Sequence, residues 1–186
     1  AWPAFARGNV VDGEVMAIHS PDTGIVPAAR GTATLQRLAD AYDAAFRPNT
    51  PVRELRPVRN GDGGEVDVVT DAGSTRVQHV IVCADAWTNK LLAPLGHHIP
   101  LAVTREQVTY FPAADLTDLQ PGRFPVWIWM DDPSYYGFPV YGHIDSVKGS
   151  EDCGGAEVDP DTRTFDPDPD MEQRLGAFMN RLVGER

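Results

Sequence analysis

The sequence predicts a mixed fold of the α/β (α+β) class, with helices bracketing two separate β regions. Three observations predict it. Apolar residues recur at three- and four-residue spacing over residues 28–46 and again over 169–183, the period of a helix with one buried face. Residues 50–83 are rich in β-branched side chains and interrupted by turn signals. Residues 101–140 carry alternating and aromatic runs that fit half-buried strands.

Taken in order, residues 1–27 are turn-rich, punctuated by Pro3, Gly8, Gly13, Pro21-Asp22-Thr23-Gly24 and Pro27. Residues 28–46 form a helix with Leu35, Leu38, Tyr42 and Ala45 on one face, stopped before Pro48. Strands follow near 50–55 and 65–70, with Asp71-Ala72-Gly73 as a turn. A third strand is expected over 77–83, and its apolar run at 80–84 predicts burial on both faces. A short helix over 86–93 ends at Pro94 and Gly96. Residues 101–111 read as one long strand, and 124–130 and 135–140 as two more around an Asp131-Asp132-Pro133-Ser134 turn. An irregular loop is expected over 148–161. The last helix begins at Pro169, with Asp168 as its N-cap and Met171, Leu175, Phe178 and Leu182 on its buried face.

Bulk properties exclude several functions. The 186 residues carry a formal net charge of -11, with 27 acidic against 16 basic residues. Such a chain repels a phosphate backbone, so no nucleic-acid partner is expected, and an anionic membrane surface is disfavoured equally. No apolar run approaches the ~20 residues of a membrane span. The two cysteines, Cys83 and Cys153, make no disulfide framework, which fits a reducing, cytoplasmic setting. Neither His97-His98 nor the acidic stretch 159–170 has the ligand spacing of a metal site, so no metal is expected.

Several segments, in order, resemble the family of monomeric sarcosine oxidases and N-methyltryptophan oxidases. They are Trp2-Pro3 with Asp22-Thr23-Gly24, Val68-Val69-Thr70-Asp71-Ala72-Gly73, Ile81-Val82-Cys83-Ala84-Asp85-Ala86-Trp87 continuing to Leu91-Leu92, Ile99-Pro100-Leu101, and Tyr135-Tyr136-Gly137-Phe138-Pro139 continuing to Lys148 and Asp159-Pro160-Asp161. The resemblance implies a two-lobed FAD-dependent oxidoreductase of which this chain is an internal piece. Residues 28–95 would be part of the FAD lobe, and 1–27 with 96–186 the substrate lobe on an antiparallel sheet. It also implies small-molecule partners, an amine substrate and oxygen, and oxidation of a C–N bond beside a secondary amine or N-methyl group, with hydrogen peroxide as product. No G-x-G-x-x-G opens a helix: Gly61-Asp62-Gly63-Gly64-Glu65-Val66 fails at its last position. The family's cysteine segment for covalent flavin attachment is absent too. The piece alone is therefore expected to be inactive, and its exposed lobe surfaces favour self-association.

The same resemblance assigns candidate roles. Lys148 matches the lysine that faces the flavin and assists oxygen reduction, since a fixed ammonium stabilises negative charge developing in a dry site; by residue type alone it is an exposed strand-end lysine. Tyr136 matches a substrate-pocket tyrosine, and equally fits aromatic sheet packing. Trp127 is a pocket wall or a core filler. Val52 would present its backbone to the adenine end of FAD, with Ala86 and Trp87 near the flavin; a plain strand valine and a tryptophan packing anchor are the alternatives. Two departures stand out. Asp85 occupies the position of a family glycine, and Asp152 that of a histidine that meets the substrate carboxylate, which an aspartate would repel. The departure at Asp152 points to a substrate without a carboxylate or with a second cation, and His143 is a nearby substitute. Together they also leave open a non-catalytic binding module on the same fold, and a flavin-dependent dehydrogenase is a third reading.

Overall fold

The computed structural model describes residues 2–6, 15–60, 63–142 and 144–184. The chain separates into two compact units, one formed by Ala1–Val26 with Thr104–Arg186 and the other by Pro27–Val103. His143, proposed above as a substitute ligand, and Gly61-Asp62 lie outside the described residues.

In the unit of residues 27–103, helix α2 (Ala28–Ala41) is preceded by Pro27; a four-residue helix α1 (Pro3–Ala6) belongs to the other unit. Helix α2 stops short of the expected residue 46 because Asp43 turns left-handed at φ 64°. The Ala44 N–H then reaches back to the Ala39 carbonyl, closing the last turn as a Schellman-type cap. Strands β1 (Val52–Asn60), β2 (Gly63–Thr70) and β3 (Gly73–Val77) form an antiparallel meander in that order. Its exposed surface is braced by arginine–carboxylate pairs, Arg53 to Asp71 and Arg76 to Asp67, both bidentate. The predicted turn is present: Gly73, at φ 128°, pairs with Thr70.

The third strand differs from its expectation. The ladder runs over Gly73–Val77, and residues 78–84 have no strand assignment. Ile81 is 88% exposed, so the apolar run is not buried on two faces. Burial of that kind requires a sheet covered on both faces, and among the described residues no strand pairs with this segment to place it in one. The short helix is found as three consecutive turns: a 3₁₀ turn Asp85–Trp87, helix α3 (Thr88–Leu92) and a 3₁₀ turn Ala93–Leu95, closed by Gly96 at φ 78°.

The other unit is built on a four-stranded antiparallel sheet. Strands β4 (Val108–Pro112), β5 (Trp127–Trp129), β6 (Tyr135–Phe138) and β7 (Ser146–Glu151) stand in the order β4-β7-β6-β5. Two expectations are corrected here. The long strand over 101–111 shrinks to β4, because the stretch before it bonds to the later loop: the Arg105 N–H donates to the Ala156 carbonyl, and the Glu106 carboxylate accepts from the Gly155 N–H. Residues 148–151, expected in a loop, belong to β7. Strand β7 hides its alternation because a helix-facing position is Gly149, where an added Cβ would lie 3.3 Å from the Met179 sulfur and 3.5 Å from Leu175.

Helix α4 (Pro169–Val183) covers one face of this sheet, starting where the sequence places it. The Asp168 carboxylate accepts from the Asp170 and Met171 N–H groups, satisfying two donors that a helix start leaves free. Met171, Leu175, Phe178 and Leu182 are buried as expected, and Phe178 contacts Trp127, Trp129 and Tyr135. Helix α1 and the turn Thr117–Leu119 contribute Ala4 and Leu119 to the same core.

Candidate functional site

Register decides which side chains share a face. In an antiparallel sheet, directly paired residues point the same way and successive residues alternate. Lys148 pairs with Tyr110 on β4 and with Phe138 on β6. One row along, Ser150 pairs with Val108 and Tyr136, and Tyr136 with Ile128. These residues therefore line the face opposite α4. Val108, Tyr110 and Ile128 are exposed there, while Tyr136, Phe138 and Lys148 are half-buried.

The Lys148 ammonium lies over the rings of this face. Its Nζ is 4.7 Å from the Phe138 ring centroid and 6.0 Å from that of Tyr136. The Tyr136 and Phe138 rings meet edge to face at 6.0 Å. Among the described residues, no carboxylate forms an ion pair with Lys148. Lys148 and Tyr136, singled out from sequence, thus stand together, and among the described residues no carboxylate neutralises the Lys148 ammonium.

Trp127 is on the other face. It pairs with Gly137, is 9% exposed and packs on Phe178 with ring centroids 5.9 Å apart. The pocket-wall assignment is therefore corrected to core filling: an adjacent strand position on β5 points to the opposite side of the sheet. Gly137 makes that packing possible, because a Cβ there would collide with the Trp127 ring and approach the Lys148 carbonyl at 2.6 Å. The residue on β5 that faces the Lys148 side is Ile128. Phe138, Tyr110 and Ile128 were missed from sequence, and the signal that finds them is the strand register of β7, which its Lys-Gly-Ser composition conceals.

Behind the site, β7 is tied to α4. Glu151, 4% exposed, accepts two bonds from the Arg174 guanidinium at 2.9 and 3.1 Å. That bidentate pairing holds Arg174 above the ordinary arginine range. Tyr135, beside Phe178, has its phenol pushed up, first by burial and then by the Glu151 carboxylate. Asp152, next along, is exposed at the end of β7, and its N–H donates to the Ser134 carbonyl at 2.9 Å.

Val52, Ala86 and Trp87 belong to the other unit. Val52 starts β1, whose second edge is unpaired among the described residues, next to a register shift between Val52 and Glu54. Ala86 and Trp87 sit in an elbow opened by Asp85 at φ 44°, where the Trp87 N–H donates to the Ala84 carbonyl. A left-handed residue at this position explains why glycine suits it; Asp85 adopts the same conformation. An open strand edge and a backbone elbow fit the periphery of a dinucleotide. The main grip on a pyrophosphate, a glycine-rich turn leading into a helix, is not among the described residues. No helix among them is long and apolar enough to cross a membrane, and no group of three or more His, Cys, Asp or Glu is placed to hold a metal ion.

Known proteins resemble this chain. The monomeric sarcosine oxidase of Bacillus sp. (strain NS-129) is 28% identical over 170 residues, covering 90% of this chain and 43% of that protein. The N-methyl-L-tryptophan oxidase of Yersinia pestis (strain Pestoides F) is 26% identical over 160 residues, covering 85% of this chain and 39% of that one. Among solved structures, the open form of NikD, described as an unusual amino acid oxidase essential for nikkomycin biosynthesis, superposes with a TM-score of 0.59 at 28% identity, covering 83% of this chain and 40% of NikD. This chain thus spans less than half the length of these relatives. Residues 2–185 match the FAD dependent oxidoreductase family, DAO, and to that family this chain belongs.

Proposed function

We propose that the protein carrying this chain oxidises the C–N bond of a secondary amine or N-methyl amino acid with FAD, giving an imine and passing two electrons and two protons to oxygen as hydrogen peroxide. Bound FAD would supply the hydride acceptor, held in part by Val52, Ala86 and Trp87 with the rest of its grip outside these residues. The observation that carries the reading is Lys148: an ammonium with no carboxylate partner among the described residues, set over Phe138 and Tyr136 on an exposed sheet face. A fixed positive charge there stabilises the negative charge created when oxygen takes its first electron. Tyr136 offers a ring for the substrate to stack on and a phenol for one hydrogen bond. Asp152 disfavours a carboxylate next to itself and favours an amine that is neutral or carries a second positive charge at that end.

Lys148→Met keeps the stem and removes the charge. In the flavin-loaded full-length protein, peroxide formation should fall about a hundredfold, on the scale of losing one preorganised electrostatic contact. Peroxide formation at the parent rate in that variant would remove Lys148 from the chemistry; absence of peroxide from the flavin-loaded parent protein would remove the oxidase reading.

A further inference from the structure

We propose that Phe138 is a positioning residue for Lys148: its ring, rather than an acidic side chain, holds the ammonium over the exposed face while leaving its charge available. The proposal rests on the oxidase reading for its consequence, but its geometry stands without it.

Three observations support it. Phe138 is the direct cross-strand partner of Lys148, so the two side chains rise from the sheet side by side. The ammonium lies 4.7 Å from the Phe138 centroid, inside the ~6 Å range of a cation–π contact, and farther from Tyr136. Lysine is also rare in the chain, which has 14 arginines and two lysines, Lys90 and Lys148. The ion pairs that brace its surfaces, Arg53–Asp71, Arg76–Asp67, Arg123–Asp118 and Arg174–Glu151, use arginine. An arginine at 148 would spread its charge over a plane and invite a bidentate carboxylate, whereas an ammonium is a compact charge. A carboxylate partner would hold that ammonium equally well but neutralise the charge an incoming electron-rich species needs. An aromatic face attracts the cation through its quadrupole and leaves the net charge at +1. Gly137 and Gly149, paired on the reverse side, let Trp127 and α4 pack close beneath and fix the height of both strands.

The test compares Phe138→Leu, which keeps apolar bulk without a ring face, with Phe138→Tyr, which keeps the ring. Lysine selectively labelled with 13C in the full-length protein gives a direct readout, with the Lys148 signal assigned by its loss in Lys148→Met. In the parent protein the Lys148 ε-methylene should be shifted upfield by the ring beneath it. Phe138→Leu should abolish that shift, and Phe138→Tyr should restore it. In the flavin-loaded protein reduced by dithionite and mixed with oxygenated buffer, Phe138→Leu should slow reoxidation about tenfold, the scale of a partly desolvated cation–π contact. It should add nothing further in a Lys148→Met background, and Phe138→Tyr should recover the parent rate. An unshifted Lys148 signal in the parent, or slowing by Phe138→Leu that persists undiminished without Lys148, would overturn the proposal. Failure of the oxidase reading itself looks different: the ring-current shift is intact and sensitive to Phe138, while the reduced flavin of the parent protein reoxidises in oxygenated buffer no faster than free flavin.

Discussion

Helices α2 and α4 are similar in length and equally amphipathic in sequence, yet they meet opposite fates. Helix α4 buries Met171, Leu175, Phe178, Met179, Leu182 and Val183 against its sheet. Helix α2 buries nothing, and its Leu35, Leu38 and Tyr42 stay exposed. The contrast extends to the units that contain them. The sheet of β4 to β7 has a contiguous core running from Ala4 to Val183. In residues 27–103, only Leu55 and Thr88 are buried among the described residues, and arginine–carboxylate pairs brace the surface. An apolar stripe at helical spacing specifies a helix with a face to cover; it does not specify that a cover is present in the same stretch of chain.

The largest test of this contrast is a pair of truncations. Phe178→Ala removes the ring at the centre of the aromatic cluster and should cost about 3–5 kcal/mol. Leu38→Ala, on the exposed face of α2, should stay within about 0.5 kcal/mol. Urea unfolding in a Trp87→Phe background reads the first, because Trp2, Trp127 and Trp129 then all report on one unit; helix content by circular dichroism reads the second. Comparable losses from the two changes would break the contrast.

The same division governs what could be read in the sequence. Helix α4 was legible to the residue because its cap, its proline and its period agree, and the packing confirms each. The turn after β2 was legible through Asp71-Ala72-Gly73, a local signal, while the strand leaving it, β3, begins at Gly73 and not at the expected residue 77. Strand β7 was not, since a strand whose helix-facing side is partly glycine has no apolar alternation to detect, and with it went the register that aligns Tyr110, Lys148 and Phe138. Lys148 and Tyr136 were found through family resemblance rather than periodicity. Of the two readings of Trp127, pocket wall and core filler, the fold selects the core, and the sequence left both open because a tryptophan beside a pocket and one beneath it differ by a single strand position. The segment 78–84 reads as a doubly buried strand because composition records the environment a strand suits, and pairing depends on neighbours far away in sequence.

A smaller effect sharpens the comparison within residues 27–103. Asp85 holds φ 44°, a conformation that costs a residue with a Cβ roughly 1 kcal/mol and a glycine almost nothing. Asp85→Gly should therefore stabilise this unit by about 1 kcal/mol, read through the fluorescence of Trp87 in the adjoining turn. In a unit with so little core, a gain of that size should be plainly visible. Destabilisation would mean that the Asp85 carboxylate is worth more than its backbone strain.

The smallest expected effect separates the units by pH. In residues 27–103, Asp67, Asp71 and Glu54 are held below their ordinary range, chiefly by hydrogen bonds from Arg76, Arg53 and Arg56. Carboxylates lowered on folding contribute stability that is complete above their unfolded values, near 4, and is lost as pH falls through the folded ones. Because these pairs are exposed, the contribution is modest and 1 M salt should erode it. Tyr135 behaves in the opposite sense. Its phenol is raised by burial and by Glu151, so the stability it carries is complete below about 10 and is lost as pH climbs through the higher folded value. Amide hydrogen exchange on β2 should therefore quicken first on acidification, with salt sensitivity, and exchange on β6 and β7 first on alkalinisation, without it. Acid loosening β6 and β7 before β2 would break the comparison, since it would place the acid-sensitive contacts in the unit with the larger core.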